Sequence, residues 1–172
     1  MLAPMRWIDR KFNFDFPIGT YPMIVARLRG TPARIEDLVK GLSEGTITAK
    51  PDGKWSIKEH IGHLIEVEVL WKYRLDQFEK GVKSLVAADM SNQATEKADY
   101  NARPIAKIVR DFRLTRSATI ARLEAYDEAF IARAAHHPRL NQPMRVIDMA
   151  FFGAEHDDQH LALIAQIISS AS

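Results

Sequence analysis

The most informative part of the chain is residues 144–168, which read MRVIDMAFFGAEHDDQHLALIAQII. At about 100° per residue its apolar side chains form one stripe, which predicts a helix packed inside a protein. The stripe consists of Val146, Met149, Ala150, Ile164, Ile167 and Ile168. His156 and His160 fall within it and are therefore expected to face the interior. Because residues four apart lie only about 40° apart around a helix, both imidazoles can reach one ion.

A second helix with histidines is predicted over residues 56–78. Its apolar stripe contains Ile57, Ile61, Leu64, Trp71, Leu75 and Phe78. His60 lies at the margin of this stripe and His63 at its edge, and periodicity does not choose between them as a third inward imidazole. Glu68 falls near the centre of the stripe, where an unpaired carboxylate is costly. We expect Glu68 to have a cation, a hydrogen-bond donor or the histidine site as its partner.

The remaining segments complete a bundle. Residues 1–21 combine aromatic and charged side chains and end in prolines and a glycine, which predicts an ordered extension on the body rather than a helix. The other predicted segments are a first helix from Tyr21, kinked or split at Gly30–Pro32, a loop at 44–54, a long crossover at 82–103, a third helix at 104–134 and a loop at 136–143. We expect no long strand. The prediction is an all-α four-helix bundle, with residues 1–172 as one domain.

The composition excludes several classes of protein. The 172 residues are 47% hydrophobic and 27% charged, as in one globular domain. Lys and Arg (24) barely exceed Asp and Glu (22), so we expect neither nucleic acid nor a membrane as a partner. The absence of cysteine excludes disulfides, thiolate ligands and a protein thiol nucleophile. With no signal-peptide or membrane-spanning pattern, a cytoplasmic location is expected.

Two inward histidines on one helix and a third on another can bind a divalent metal through three nitrogens. Three protein ligands leave a position for water or substrate, as in catalytic zinc sites, and neutral imidazole suits Zn, Ni, Fe or Cu. Glu59, Glu68 and Asp157 are candidates to accept hydrogen bonds from the second ring nitrogens. His60 or Glu68 as a fourth ligand would instead close the site. A bundle with packed, metal-free histidines is the remaining alternative.

Three segments resemble the DinB-like superfamily, which includes YfiT-type metal-dependent hydrolases. These are WSIKEHIGHLIEVEVLW at 55–71, HPRL at 137–140 and AEHDDQHLALI at 154–164, and residues 6–12 and 21–35 fit as well. The resemblance implies a left-handed bundle whose metal is bound by one histidine of the second helix and two of the fourth. The W-S-x-x-E-x-x-x-H-L pattern of the family falls on His63, and the other two ligands fall on His156 and His160. His60 is outside the pattern, as a fourth ligand, a substrate contact or a packed neighbour.

The resemblance also implies a range of activities. Relatives include enzymes that use low-molecular-weight thiols such as bacillithiol, mycothiol or glutathione, with the metal lowering the pKa of the thiol. We therefore expect a metal-dependent enzyme, with Zn or Ni, that activates water or such a thiol against a small-molecule substrate. It would be a hydrolase or a thiol S-transferase. The alternative is a non-catalytic metal-binding module for stress response or interaction, and a homodimer is plausible for such a bundle.

Overall fold

The structure is a computed structural model, and it describes residues 4–171. Its regular elements, in chain order, are α1 (Tyr21–Val39), α2 (Glu44–Thr48), α3 (Ile57–Glu79), α4 (Gln93–Lys97), α5 (Ile105–Glu124), α6 (Glu128–Ile131), β1 (Ala134–His137), β2 (Gln142–Arg145) and α7 (Val146–Ala171). The long helices α1, α3, α5 and α7 form the bundle. Short 3-10 turns occur at 7–9, 18–20, 51–53 and 100–102.

The directions of the helices explain the long connection between α3 and α5. These two helices are parallel, because Glu68 and Asp76 of α3 pair in the same order with Arg116 and Arg122 of α5. Helix α7 is antiparallel to α3, since His60 lies against His160 and Trp71 lies near Gly153. The chain must return along the bundle before α5 can begin. The crossover predicted at 82–103 is therefore present, and it contains α4.

Helix α3 begins with a capping box. The Oγ of Ser56 accepts a hydrogen bond from the backbone N–H of Glu59 at 3.2 Å, and Oε2 of Glu59 accepts from the N–H of Ser56 at 2.8 Å. The other oxygen of Glu59 accepts from Nζ of Lys50 at 2.7 Å. Glu59 thus caps the helix and does not support a histidine ring, contrary to our expectation.

Helix α1 runs without a break through Pro32, so of the kink or split predicted at Gly30–Pro32 the split is wrong. Proline has no N–H, which leaves the carbonyl of Leu28 without its helical partner. Nη1 of Arg116 donates to that carbonyl at 3.1 Å, and Arg116 is 2% exposed. A side chain from α5 thus replaces the hydrogen bond that the proline removes.

Three further boundaries differ from the sequence predictions. The third helix ends at Glu124, and Asp127 starts the separate helix α6 by accepting from the N–H of Phe130 at 2.7 Å. The predicted loop at 44–54 contains α2. The predicted loop at 136–143 is largely an antiparallel hairpin in which Ala134 pairs with Arg145. The fold is therefore mainly helical but not strictly all-α. The sequence did not predict the two strands, because four residues are too few to show a clear alternation.

The N-terminal segment packs on the bundle as predicted for residues 4–21, while residues 1–3 lie outside the described part. Trp7, Phe12, Phe14 and Phe16 contact the hydrophobic core. Nε2 of Gln159 donates to the carbonyl of Met5 at 2.9 Å. The Trp7 ring meets His156 edge-on at 5.0 Å between centroids. The segment therefore covers the end of the histidine cluster. Within residues 4–171 no helix is long and apolar enough to cross a membrane.

Gly62 allows the crossover to pack against α3, and this predicts a clear effect of substitution. A Cβ at this position would overlap the ring of Tyr100, which is buried in the crossover. We expect Gly62→Ala to lower the free energy of unfolding by about 1–3 kcal/mol, because overpacking outweighs the gain in helix propensity. Urea denaturation of the metal-free protein measures this change.

The matched control is Gly30→Ala in α1, where an added Cβ meets nothing within 4 Å. That variant should be more stable than the wild type by about 0.4–1 kcal/mol. Equal stability of the two variants would contradict the close approach of Tyr100 to Gly62.

Candidate metal centre

The structure brings together three of the predicted site histidines. His63 of α3 and His156 and His160 of α7 each offer a ring nitrogen, and these nitrogens lie within 4.8 Å of one another. Nε2 of His156 and Nε2 of His160 are 3.3 Å apart. Two nitrogens bound to a tetrahedral zinc at about 2.0–2.1 Å are separated by about 3.3–3.4 Å. The α7 pair thus already has the spacing of two ligands to one ion.

The second nitrogen of His63 has a partner that sequence reasoning missed. Nδ1 of His63 lies 3.1 Å from Oγ1 of Thr95, which belongs to α4 in the crossover and is buried. This contact leaves Nε2 of His63 for a metal. A hydroxyl contact from a long aperiodic connection has no signature in the sequence, so neither spacing nor residue type could have identified Thr95.

His60 also lies in the cluster, next to His160. Their Nδ1 atoms are 2.9 Å apart, so one ring donates and the other accepts. Since Nε2 of His160 faces His156, Nδ1 of His160 is the nitrogen left to donate. Trp55 packs on the cluster, with its ring 4.8 Å from that of His63 and 5.7 Å from that of His60. The sequence left His60 as a fourth ligand, a substrate contact or a packed neighbour. The structure favours the last of these, with His60 in contact with the ring of His160.

The acidic candidates are engaged elsewhere. Nε of Arg116 donates to Oε1 of Glu68 at 2.5 Å, and its two Nη atoms donate to the carboxylate of Asp157. Thr119 also donates to Glu68, and Oγ1 of Thr31 donates to Asp157 at 2.6 Å. Glu68 thus has the cation and donor that its burial requires. The structure supports neither Glu68 as a metal ligand nor Asp157 as an acceptor for a histidine.

The four histidines of the cluster are held in the neutral form. Burial lowers the pKa of His60 and of His63 to about 4. For His156 and His160, burial is again the main cause, and neighbouring imidazoles add to it, so their pKa values lie well below the usual 6.5. Neutral imidazole is the form that coordinates a metal.

The donor set fits a divalent transition metal. It consists of neutral nitrogens in a buried site, which suits Zn, Ni, Fe or Cu better than Mg or Ca. With Nε2 of His156 as a ligand, the ring proton would lie on Nδ1, which is buried without an acceptor among the described residues.

The buried histidines predict acid sensitivity of the metal-free protein. A histidine with a pKa of about 4 in the folded state and about 6.5 in the unfolded state binds more protons when unfolded in that interval. The free energy of unfolding should therefore be highest above pH 6.5 and should fall as the pH drops towards 4. The slope should reach about 1.4 kcal/mol per pH unit for each such histidine. Urea denaturation between pH 7.5 and 4.5 measures it, and a flat profile would contradict neutral burial.

Comparisons with known proteins identify the family from the sequence and the fold from a solved structure. The profile of the DinB superfamily matches residues 27–164. No curated protein matches the sequence. Among solved structures, the chain is similar to YfiT from Bacillus subtilis, with a TM-score of 0.78 and 14% sequence identity over 94% of this chain and 93% of that one. YfiT is described as a probable metal-dependent hydrolase with an unusual four-helix bundle topology.

Proposed function

This chain belongs to the DinB superfamily, and from that premise we propose that it is a metal-dependent enzyme with His63, His156 and His160 as ligands. The proposal rests mainly on one observation. Three buried, neutral imidazoles from two helices turn ring nitrogens towards a common point, and two of these nitrogens already have ligand spacing. The description of YfiT as a probable metal-dependent hydrolase supports the same function.

Zinc or nickel held there would act as a Lewis acid and lower the pKa of a water or low-molecular-weight thiol that joins it. The residues of the chain prepare the site. Thr95 fixes the orientation of His63 through Nδ1, and Trp55 and Trp7 shield the rings from bulk water. Because the chain has no cysteine, the nucleophile must come from water or from an external thiol. Hydrolysis and thiol S-transfer to a small-molecule substrate are both compatible with this arrangement.

His60 acts in this proposal as the hydrogen-bond acceptor for His160. We expect His60→Ala to weaken zinc binding about 10–100-fold, because the partner that orients a ligand ring typically contributes this much. Competition with a chromophoric chelator measures the affinity. His136→Ala is the matched control, since His136 lies in the hairpin and contacts Asn141 at 3.1 Å. Equal zinc affinity of the two variants would reduce His60 to a packed neighbour.

The low exposure of the histidines favours a second candidate, a non-catalytic metal-binding module for stress response or interaction. His63, His156 and His160 are each only 7–8% exposed, and the N-terminal segment covers one side of the cluster. This candidate predicts stoichiometric metal binding without turnover. The enzyme predicts turnover that disappears on chelation.

The test begins with the metal content of protein purified without chelators, measured by mass spectrometry. About one equivalent of a transition metal supports the proposed ligands, and less than about a tenth of an equivalent after loading contradicts them. Panels of esters, amides and electrophiles, with and without low-molecular-weight thiols, then separate the two candidates. Cytoplasmic location and dimerisation remain predictions.

A further inference from the structure

Arg74 of α3 carries a buried charge without a counter-ion. The residue is 1% exposed, and its Nε and Nη2 donate to the carbonyl of Val86 at 3.2 and 2.9 Å. Within residues 4–171 no carboxylate forms an ion pair with it. Arg116, equally buried, has two carboxylates. A buried charge without a counter-ion is costly, so an anion bound next to Arg74 would stabilise the protein.

A second guanidinium with no counter-ion lies close by. Arg139, in the turn between β1 and β2, stacks over the rings of Trp7 and Phe152, with Cζ 5.7 and 5.4 Å from their centroids. Its side chain makes no hydrogen bond or ion pair to the part of the chain that the structure describes, and its Nη2 is buried. Burial, followed by the charge of Arg139, lowers the pKa of Arg74 to about 10. Arg74 also lies beside the hairpin that carries Arg139, because it donates to Val86, and the N–H of the preceding Leu85 donates to the carbonyl of His136 at 2.9 Å.

His137 has a second buried donor without a partner, after Nη2 of Arg139. It is 2% exposed, and its Nδ1 accepts from the backbone N–H of Leu140 at 3.2 Å. The neutral ring must then carry its proton on Nε2, which is buried and has no acceptor among the described residues. Burial and the charges of Arg74 and Arg139 lower the pKa of His137 to about 4. The His137 ring lies 5.5 Å from that of Phe152, over which Arg139 also stacks, so these two side chains are neighbours. Nε2 of His137 and Nη2 of Arg139 each lack an acceptor, and Arg74 adds a positive charge. An oxyanion would supply the missing acceptors.

The donors lie beside the histidine cluster. Phe152, which contacts both His137 and Arg139, is four residues before His156, or about one helical turn. The Trp7 ring bridges Phe152 and His156, with centroid distances of 4.8 and 5.0 Å. Arg139 as a whole is only partly buried, although its Nη2 is buried. A ligand held there would extend towards the proposed metal.

We propose that Arg74, His137 and Arg139 form an oxyanion subsite that binds a carboxylate or phosphate group. That the bound group belongs to the substrate rests on the proposed function. The substrate class would then be small anionic molecules whose reactive centre lies at the histidine cluster and whose acidic end is held by the two arginines.

The first test uses full-length, metal-free protein, so it does not depend on the metal. Calorimetry at constant ionic strength measures the binding of inorganic phosphate and of succinate, with chloride as the reference. Arg139→Gln should weaken the binding of the better ligand at least about tenfold, as expected for a lost charge-assisted hydrogen bond. Arg133→Gln is the matched control, because Arg133 is an exposed residue close to the same hairpin. Absence of binding, or equal binding by both variants, overturns the subsite.

A second arm distinguishes a substrate group from a free anion. In the metal-loaded protein Arg139→Gln should raise KM for a carboxylate substrate and leave KM for its neutral methyl ester unchanged. Equal changes in KM for both substrates would show that the subsite does not bind the carboxylate of the substrate. Zinc affinity of Arg139→Gln should equal that of the wild type. Anion binding without any metal binding would uphold the subsite and refute the proposed function.

Discussion

Replacing any one of His63, His156 and His160 with alanine is expected to lower zinc affinity at least about 100-fold, more than the loss of a ring's hydrogen-bond partner costs. Each ring supplies one of the three nitrogens that converge in the interior. Neither Glu68 nor Asp157 can take the place of a lost ring, because Arg116 holds both carboxylates. Chelator competition measures the affinity, and metal analysis measures the stoichiometry.

A thermal measurement separates loss of the site from loss of the fold. Zinc at about 100 times its Kd should stabilise the wild type by about 2.7 kcal/mol and raise its melting temperature. The three variants should keep helical circular dichroism but show no zinc-dependent shift, whereas His136→Ala should respond like the wild type. Retention of the zinc response by any of the three variants would exclude that residue as a ligand.

Replacing Arg116 with methionine is expected to cause the largest loss of stability, about 3–5 kcal/mol. Although burial opposes its charge, Asp157 and Glu68 raise the pKa of Arg116, which keeps it protonated. Its removal leaves two buried carboxylates without a counter-ion and the carbonyl of Leu28 without a donor. Urea denaturation at pH 7.5 measures the change in the free energy of unfolding.

The control for Arg116 lies on the same helix. Arg113 pairs with Glu36 through two hydrogen bonds, of 2.7 and 2.6 Å, but both side chains are more than 40% exposed. Arg113→Met should therefore change stability by less than about 1 kcal/mol. Similar losses for the two variants would show that the Arg116 contacts contribute no more than an exposed pair.

The sequence predicted the long helices and the inward histidines because both depend on local periodicity. Ser56 and the apolar stripe placed the start of α3 within one residue, and the i,i+4 spacing placed His156 and His160 on one face. The choice of His63 came from the family resemblance, since periodicity treated His60 and His63 alike. In the structure both lie in the cluster, and His60 contacts the ring of His160.

Partners across the bundle were beyond local reasoning. Asp157 was a candidate acceptor for a histidine, and Glu68 was expected to have a cation, a donor or the histidine site as its partner. The pattern of inward faces does not reveal that Arg116 of α5 pairs with both carboxylates. Thr95 depends on the path of the crossover, which has no periodicity. Tertiary contacts of this kind override local patterns.

Pro32 makes the effects of substitutions at two distant positions interdependent. With proline at 32, the carbonyl of Leu28 accepts from Arg116. With any other residue at 32, the backbone N–H would compete for that carbonyl and the guanidinium would lose one of its acceptors. We therefore expect epistasis between positions 32 and 116. Substitution of Pro32 should lower the cost of exchanging Arg116.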